Sequence, residues 1–153
     1  MITFTTVDQI IDFAIEAEQE AVDFYTKLAE GSSSEAIQKV FTLYAAEEAS
    51  HKKKLVLVKQ EGYFANLEVK HLTQNLRISE YLTEVVPNEK MDYRDALVLA
   101  MKKEEAAFKL YTDLSSIASR PEIRNLFLNL AVEESKHKLR FELEYDEHVL
   151  REN

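Results

Sequence analysis

Two short strings that combine carboxylates with a histidine occur in this chain, EEASH ending at His51 and EESKH ending at His137. In each string a glutamate stands three residues before the histidine, Glu48 in the first and Glu134 in the second. Residues three apart on an α-helix lie on the same face. Carboxylate oxygen and imidazole nitrogen are ligands that suit Fe, Mn or Zn. Each string is therefore predicted to form half of a metal site.

The two strings belong to a longer internal repeat with an offset of 86 residues. Aligning residues 14–55 on residues 100–141 gives 14 identities in 42 positions without a gap. Two further polar pairs repeat at this offset: Glu18 with Glu104, and Tyr25 with Tyr111. The period is too long for a solenoid array, so the sequence indicates two copies of one helical hairpin.

The elements that carry these residues are predicted to be four long helices, since the chain has only 2 Gly and 2 Pro. Apolar residues recur with the helical 3-4 spacing in four stretches, and the sets expected to point inward include Leu28, Ile37, Ala107 and Phe108, the last two on a stripe around Glu104. The predicted first helix begins at the capping box of Thr6 and Gln9 and ends at Gly31. The second begins after the serine run 32–34 and ends at Gly62. The third runs from Asp92 to about Ile117, and the fourth begins at Pro121. A short helix is also expected around Leu72 to Val85, before Pro87 breaks it.

Connection lengths predict the topology. The first and third connections are a few residues long, so each joins antiparallel neighbours, whereas the second is about thirty residues and can travel the length of a bundle. We expect one all-α domain over residues 1–153, a ferritin-like four-helix bundle with one long crossover between the second and third helices.

One carboxylate from each helix is predicted to point inward at mid-height, and two helices add an imidazole. An unpaired buried carboxylate costs several kcal/mol, and like charges raise each other's pKa. The inward stripes contain no matching lysine or arginine. Two divalent metal ions would balance four such carboxylates.

Composition excludes several other functions. The net charge of −9 disfavours nucleic acid and anionic membranes as partners. The absence of cysteine excludes zinc–thiolate sites, iron–sulfur clusters and thiol catalysis. The first residues lack a signal-peptide pattern, and no apolar run reaches the roughly 20 residues of a membrane span. A cytoplasmic protein is expected.

The motifs resemble those of the ferritin-like di-iron carboxylate proteins, in which two helices give one Glu each and two give Glu-x-x-His. The strings EQEAVDFY and EEAAFKLY, which begin at Glu18 and Glu104, resemble the rubrerythrin branch. The resemblance covers nearly the whole chain. It implies a centre of two iron ions, for which Mn or Zn could substitute, and a homodimer.

The resemblance also implies roles. Glu18 and His51 would bind one iron, and Glu104 and His137 the other. Glu48 and Glu134 would bridge the two irons, and Tyr25 and Tyr111 would orient the ligand carboxylates as part of the catalytic centre.

The chain departs from rubrerythrins at two points. Ala107 stands where they usually have a further Glu, and the four-cysteine rubredoxin-like domain is missing, so electrons would come from a separate donor protein. The leading hypothesis is an oxidoreductase that reduces hydrogen peroxide, with dioxygen as the other candidate oxidant. The alternatives are ferritin-type iron oxidation or storage, and a structural bundle that keeps the motif without using it.

Other polar residues are predicted to have ordinary roles. These are surface charge or contact with a metal ligand for Glu47 and Glu133, surface charge for the lysine run 52–54, structural or solvent roles for His71 and His148, and core packing for Tyr44.

Overall fold

The computed structural model describes residue 4, residues 6–63 and residues 92–152. Four α-helices follow in order: α1 Val7–Gly31, α2 Glu35–Glu61, α3 Tyr93–Ile117 and α4 Pro121–Glu152. The predicted all-α class with four long helices is confirmed. The short helix expected around Leu72 to Val85 lies outside the described residues.

Helix starts occur where the cap residues predict them. The Thr6 hydroxyl accepts a hydrogen bond from the backbone N–H of Gln9, whose side chain accepts one from the backbone N–H of Thr6, which completes a capping box. Ser34 accepts from the N–H of Ile37, and Asp92 from that of Asp95. Each cap satisfies a backbone N–H that has no partner inside its helix.

The two glycines end their helices differently. Gly62 follows α2 with φ of 71°, the left-handed conformation that glycine adopts at no steric cost. Gly31 is the last residue of α1, and Ser32, in extended backbone, forms the C-cap. Gly31 therefore stops the helix without the left-handed turn that usually makes glycine useful at this position.

Backbone contacts divide the chain into two compact units, Met1–Gln74 and Asn75–Asn153. The first contains α1 packed on α2, and the second contains α3 packed on α4. Each unit is thus one helical hairpin, as the internal repeat predicts. A single domain over residues 1–153 stays a prediction.

Among the described residues, the core of each hairpin is apolar except for Ser115 and for the glutamates and histidines at the level of the repeated carboxylates. Tyr25 and Phe41 stack with ring centroids 6.1 Å apart, and Tyr111 and Phe127 repeat the contact at 6.2 Å. The prediction of a buried Phe108 is wrong, because 39% of this residue is exposed. Four other residues expected to point inward are half-buried: Leu28, Ile37, Tyr44 and Ala107.

Candidate metal centre

The first hairpin brings two carboxylates against one imidazole in its interior. Nδ1 of His51 lies 3.4 Å from Oε2 of Glu48, one helical turn earlier on α2, and 3.8 Å from Oε1 of Glu18 on α1. All three residues are at most 3% exposed. The helical spacing i, i+3 places Glu48 and His51 on one face, and antiparallel packing brings α1 against that face.

Electrostatics in this cluster favour a bound positive charge. Burial, and then the charge of Glu48, raise the pKa of Glu18 well above its ordinary value, against the opposing effect of His51. Burial lowers the pKa of His51, but hydrogen bonding to Glu18 and Glu48 and their negative charges outweigh it and raise that pKa to about 10. Without a metal ion, the cluster therefore holds a proton on His51 at neutral pH.

The second hairpin repeats the arrangement at the predicted offset. Nδ1 of His137 lies 3.5 Å from Oε1 of Glu104, and ligand atoms of Glu104, Glu134 and His137 lie within 4.8 Å of one another. Glu104 and Glu134 are each 1% exposed and His137 is 4% exposed. Both copies of the repeat thus bury two carboxylates and one imidazole.

The donor set and its spacing fit a divalent cation. Oxygen and nitrogen ligands bind such ions at about 2.0–2.2 Å, so two atoms on one ion are at most about 4.4 Å apart. The separations of 3.4, 3.5 and 3.8 Å between imidazole nitrogen and carboxylate oxygen lie within this limit. Among the described residues, the potential metal-binding groups contain no residue beyond the six predicted ligands.

Tyr25 and Tyr111 occupy equivalent buried places, at 0% and 1% exposure. Each lies seven residues, two helical turns, after the glutamate of its own helix, so it shares that glutamate's face. Tyr44 breaks the symmetry: its ring lies 6.3 Å from the Tyr25 ring, and the repeat has Leu130 at the equivalent position. The orienting role assigned to Tyr25 and Tyr111 stays a prediction.

The remaining candidates lie elsewhere. Glu47 and Glu133 are half-buried, about 100° around the helix from the adjacent ligand candidate. His148 packs edge-on against Tyr93 at 5.2 Å, near the end of α4, and His71 is outside the described residues. Lys52 differs from the prediction of a solvated lysine run: it is half-buried and bonds Gln19 on α1.

The helices and their ligand candidates define a class: all-α proteins with one Glu on two helices and Glu-x-x-His on the other two, the ferritin-like di-iron carboxylate pattern. Comparison with known families agrees, because the rubrerythrin family model matches residues 9–91 and 95–152. The chain belongs to the rubrerythrin family, and the predicted ferritin-like four-helix bundle is thereby confirmed. Neither the curated proteins nor the solved structures gave a match.

Family membership indicates a di-iron oxidoreductase type of function, and the buried glutamates and histidines fit a di-iron site. The 153 residues contain no cysteine for a rubredoxin-type iron site. Within residues 6–63 and 92–152, none of the helices combines the length and apolarity that crossing a membrane requires.

Proposed function

We propose that the chain binds two iron ions and reduces hydrogen peroxide to water with electrons from a separate donor protein. The observation that carries this proposal is the burial of the same donor set, two carboxylates and one imidazole, in both hairpins of a rubrerythrin-family chain. Burying two carboxylates in each hairpin costs folding free energy unless a cation balances their charge. Mn and Zn suit the same ligands, but Zn has no redox chemistry and does not fit the oxidoreductase type of the family.

The residues take the roles that the resemblance implies. On that resemblance, Glu18 and His51 would hold one ion, Glu104 and His137 would hold the second, and Glu48 and Glu134 would be shared between the two ions. Two iron ions, when bound, supply the two electrons that convert one peroxide and two protons into two waters. Tyr25 and Tyr111, each on the face of its helix glutamate, orient the ligand carboxylates.

The partners are part of the proposal. These 153 residues contain no cysteine for a rubredoxin-type iron centre, and we propose that a separate redox protein re-reduces the site. A homodimer and a cytoplasmic location are likewise proposals.

Ferritin-type iron oxidation is the second candidate, and Ala107 favours it. This residue is half-buried on α3, one turn after Glu104, where rubrerythrins usually have a further carboxylate. Ala107 offers no carboxylate for the redox-linked change of iron ligands that the resemblance associates with this position. A site of this kind could oxidise Fe(II) once without repeated turnover.

A peroxide consumption assay separates the two functions. Protein loaded with Fe(II) without oxygen is mixed with excess hydrogen peroxide and an artificial electron donor. A peroxidase consumes many equivalents of peroxide per chain and shows an iron(III) absorption band that disappears on re-reduction. Consumption that stops after about one equivalent per pair of iron ions would support iron handling and contradict the leading proposal.

A further inference from the structure

Each hairpin contains a polar contact between its two helices directly beside the ligand candidates. In the first, the Lys52 ammonium donates to Oε1 of Gln19 at 2.7 Å. In the second, the Lys138 ammonium lies 3.7 Å from a carboxylate oxygen of Glu105 on α3, and 3.3 Å from one of Glu142 on its own helix. We call the two contacts between helices the hairpin tethers.

The tethers occupy equivalent positions in the two repeats. Lys52 and Lys138 each follow the histidine by one residue, and they are among the identical positions at the offset of 86. Their partners, Gln19 and Glu105, each follow the glutamate of the first helix of the hairpin. Both repeats therefore keep a lysine that reaches across the hairpin at the ligand level, although its acceptor is neutral in one copy and charged in the other.

The first tether is accompanied by a second polar contact between the same two helices. Lys59 and Asp12 also form an ion pair between α2 and α1. Lys59 stands seven residues after Lys52, and Asp12 stands seven before Gln19, so the two contacts use the same antiparallel register two helical turns apart. The first hairpin thus contains a matched contact at a distance from the ligands.

We propose that Lys52 and Lys138 are positioning residues of the metal centre, which hold Glu18 against His51 and Glu104 against His137 at a spacing that an ion can bridge. This inference rests on the proposed metal binding. A contact one residue from a ligand on both helices restrains sliding and rotation at that level. The ligand atoms that face each other between the two helices lie 3.8 Å apart for His51 and Glu18 and 3.5 Å apart for His137 and Glu104, which leaves little tolerance for either motion.

The sign of the effect separates positioning from simple electrostatics. Removing a positive charge near a cation site strengthens cation binding if charge alone matters. Removing a tether disturbs the spacing of the ligands and weakens binding. Lys52→Met deletes both the charge and the hydrogen bond while keeping the apolar stem, so the two explanations predict opposite changes.

The test is a titration of metal-free protein with Co(II). Calorimetry measures the affinity, and the visible absorption of the bound ion reports the geometry of its ligands. Lys52→Met and Lys138→Met are each expected to weaken Co(II) binding at one of two sites by about 10-fold, comparable to losing an outer contact of a metal ligand. The absorption bands of that site should also shift. Lys52→Arg retains a donor and should recover most of the affinity. Lys59→Met, the matched control, should leave both the affinity and the spectrum unchanged.

Three results would overturn the inference. If Lys52→Met and Lys138→Met both bind Co(II) as tightly as the wild type or more tightly, the two lysines do not position the ligands and act on the site only through their charge. Equal weakening by Lys59→Met would show that hairpin stability, not local positioning, sets the affinity. If the wild-type protein binds no Co(II), both the proposed metal centre and this inference are wrong. This outcome is seen in the wild type alone, so it is distinguishable from a failure of the positioning role, which only the variants reveal.

Discussion

At the residue scale, His51 accounts for how an acidic cluster can exist in a helical interior. Its imidazole lies 3.4 Å from Glu48 and 3.8 Å from Glu18, and both carboxylates help to hold a proton on it. A divalent ion brings twice the charge of that proton and can contact all three side chains. The buried cluster is therefore best balanced when it holds a metal.

The ligand assignment predicts a contrast between two adjacent glutamates. Glu48→Ala removes a carboxylate that is 1% exposed and lies beside His51, so metal affinity should fall by more than about 100-fold. Glu47→Ala, the control, alters a half-buried residue about 100° around the helix and should change affinity less than about 3-fold. Anaerobic Fe(II) titration of both variants measures the contrast, and equal losses would contradict the assignment.

The raised pKa values predict how pH affects the metal-free protein. Folding raises the pKa of His51 from 6.5 to about 10, so the folded chain binds more protons than the unfolded chain between those values. The free energy of unfolding should therefore fall as pH rises through this range, by roughly 1–3 kcal/mol. The raised pKa of Glu18 acts with the same sign, beginning at lower pH.

Urea denaturation of chelator-treated protein at pH 6.5 and pH 9.5 measures this dependence. His51→Gln is the comparison, since it removes the imidazole and should reduce the pH dependence to the part that arises from the raised pKa of Glu18. Metal binding must displace the proton from His51, so Fe(II) or Co(II) affinity should increase over the same range. A metal-free protein that becomes more stable as pH rises would contradict the account of the cluster.

At the element scale, the helix starts could be predicted because their signals are local. Thr6, Ser34 and Asp92 each accept a hydrogen bond from the backbone N–H three residues later. Such a contact depends only on residues that are close together in the sequence. Gly62 marks the end of α2 for the same reason.

Burial was harder to predict because it depends on neighbouring helices. The stripe predicted on α3 was centred on Glu104, and Phe108 lies only about 40° from it. The buried face of α3 is wider than that stripe and extends around the helix on the side of Glu104 opposite to Phe108, where Leu99 and Leu110 are buried. Packing against α4 shifts the buried face, so Phe108 falls at its edge. The spacing of apolar residues predicts that one face of the helix is buried, but it does not determine the residue on which that face is centred.

The tethers show a second limit of the sequence. Lys52 stands in a run of three lysines, which is typical of a solvated helix face. Its contact with Gln19 depends on the register of α1 against α2, which local pattern does not determine. The recurrence of this lysine as Lys138 was the signal that could have separated it from its two neighbours.

The two glycines give a prediction for the helix ends. Gly62→Ala places a side chain at φ of 71°, where an L-residue costs about 1–2 kcal/mol. Gly31→Ala is the matched control, because a Cβ there meets nothing within 4 Å and the backbone is helical. It should be neutral or stabilising by up to about 1 kcal/mol. Thermal denaturation compares the two, and a Gly31→Ala variant less stable than Gly62→Ala would contradict the assigned end conformations.

At the scale of the whole molecule, an acidic chain with a duplicated acidic centre should depend on cations for stability. The net charge is −9, and both hairpins bury carboxylates. A ligand at 100 times its Kd stabilises the folded state by about 2.7 kcal/mol. For a chain of this length, that corresponds to a rise in Tm of about 5–10 °C.

This stabilisation is measured by thermal denaturation with and without Fe(II) under anaerobic conditions. The double variant His51→Ala, His137→Ala should lose the rise, since it removes the imidazole from both hairpins. Mg²⁺ is a useful comparison because it prefers oxygen ligands and should stabilise the wild type less. An equal rise for the double variant would place the binding elsewhere on the acidic surface.

The number of iron ions bound per chain tests the central claim most directly. Protein loaded with Fe(II) without oxygen and then desalted should retain two ions per chain, both in the wild type and in Glu133→Ala. Glu134→Ala should retain fewer than one, because it removes a ligand proposed to be shared by both ions. A wild-type chain that retains no iron, or a Glu134→Ala variant that still retains two, would contradict the account.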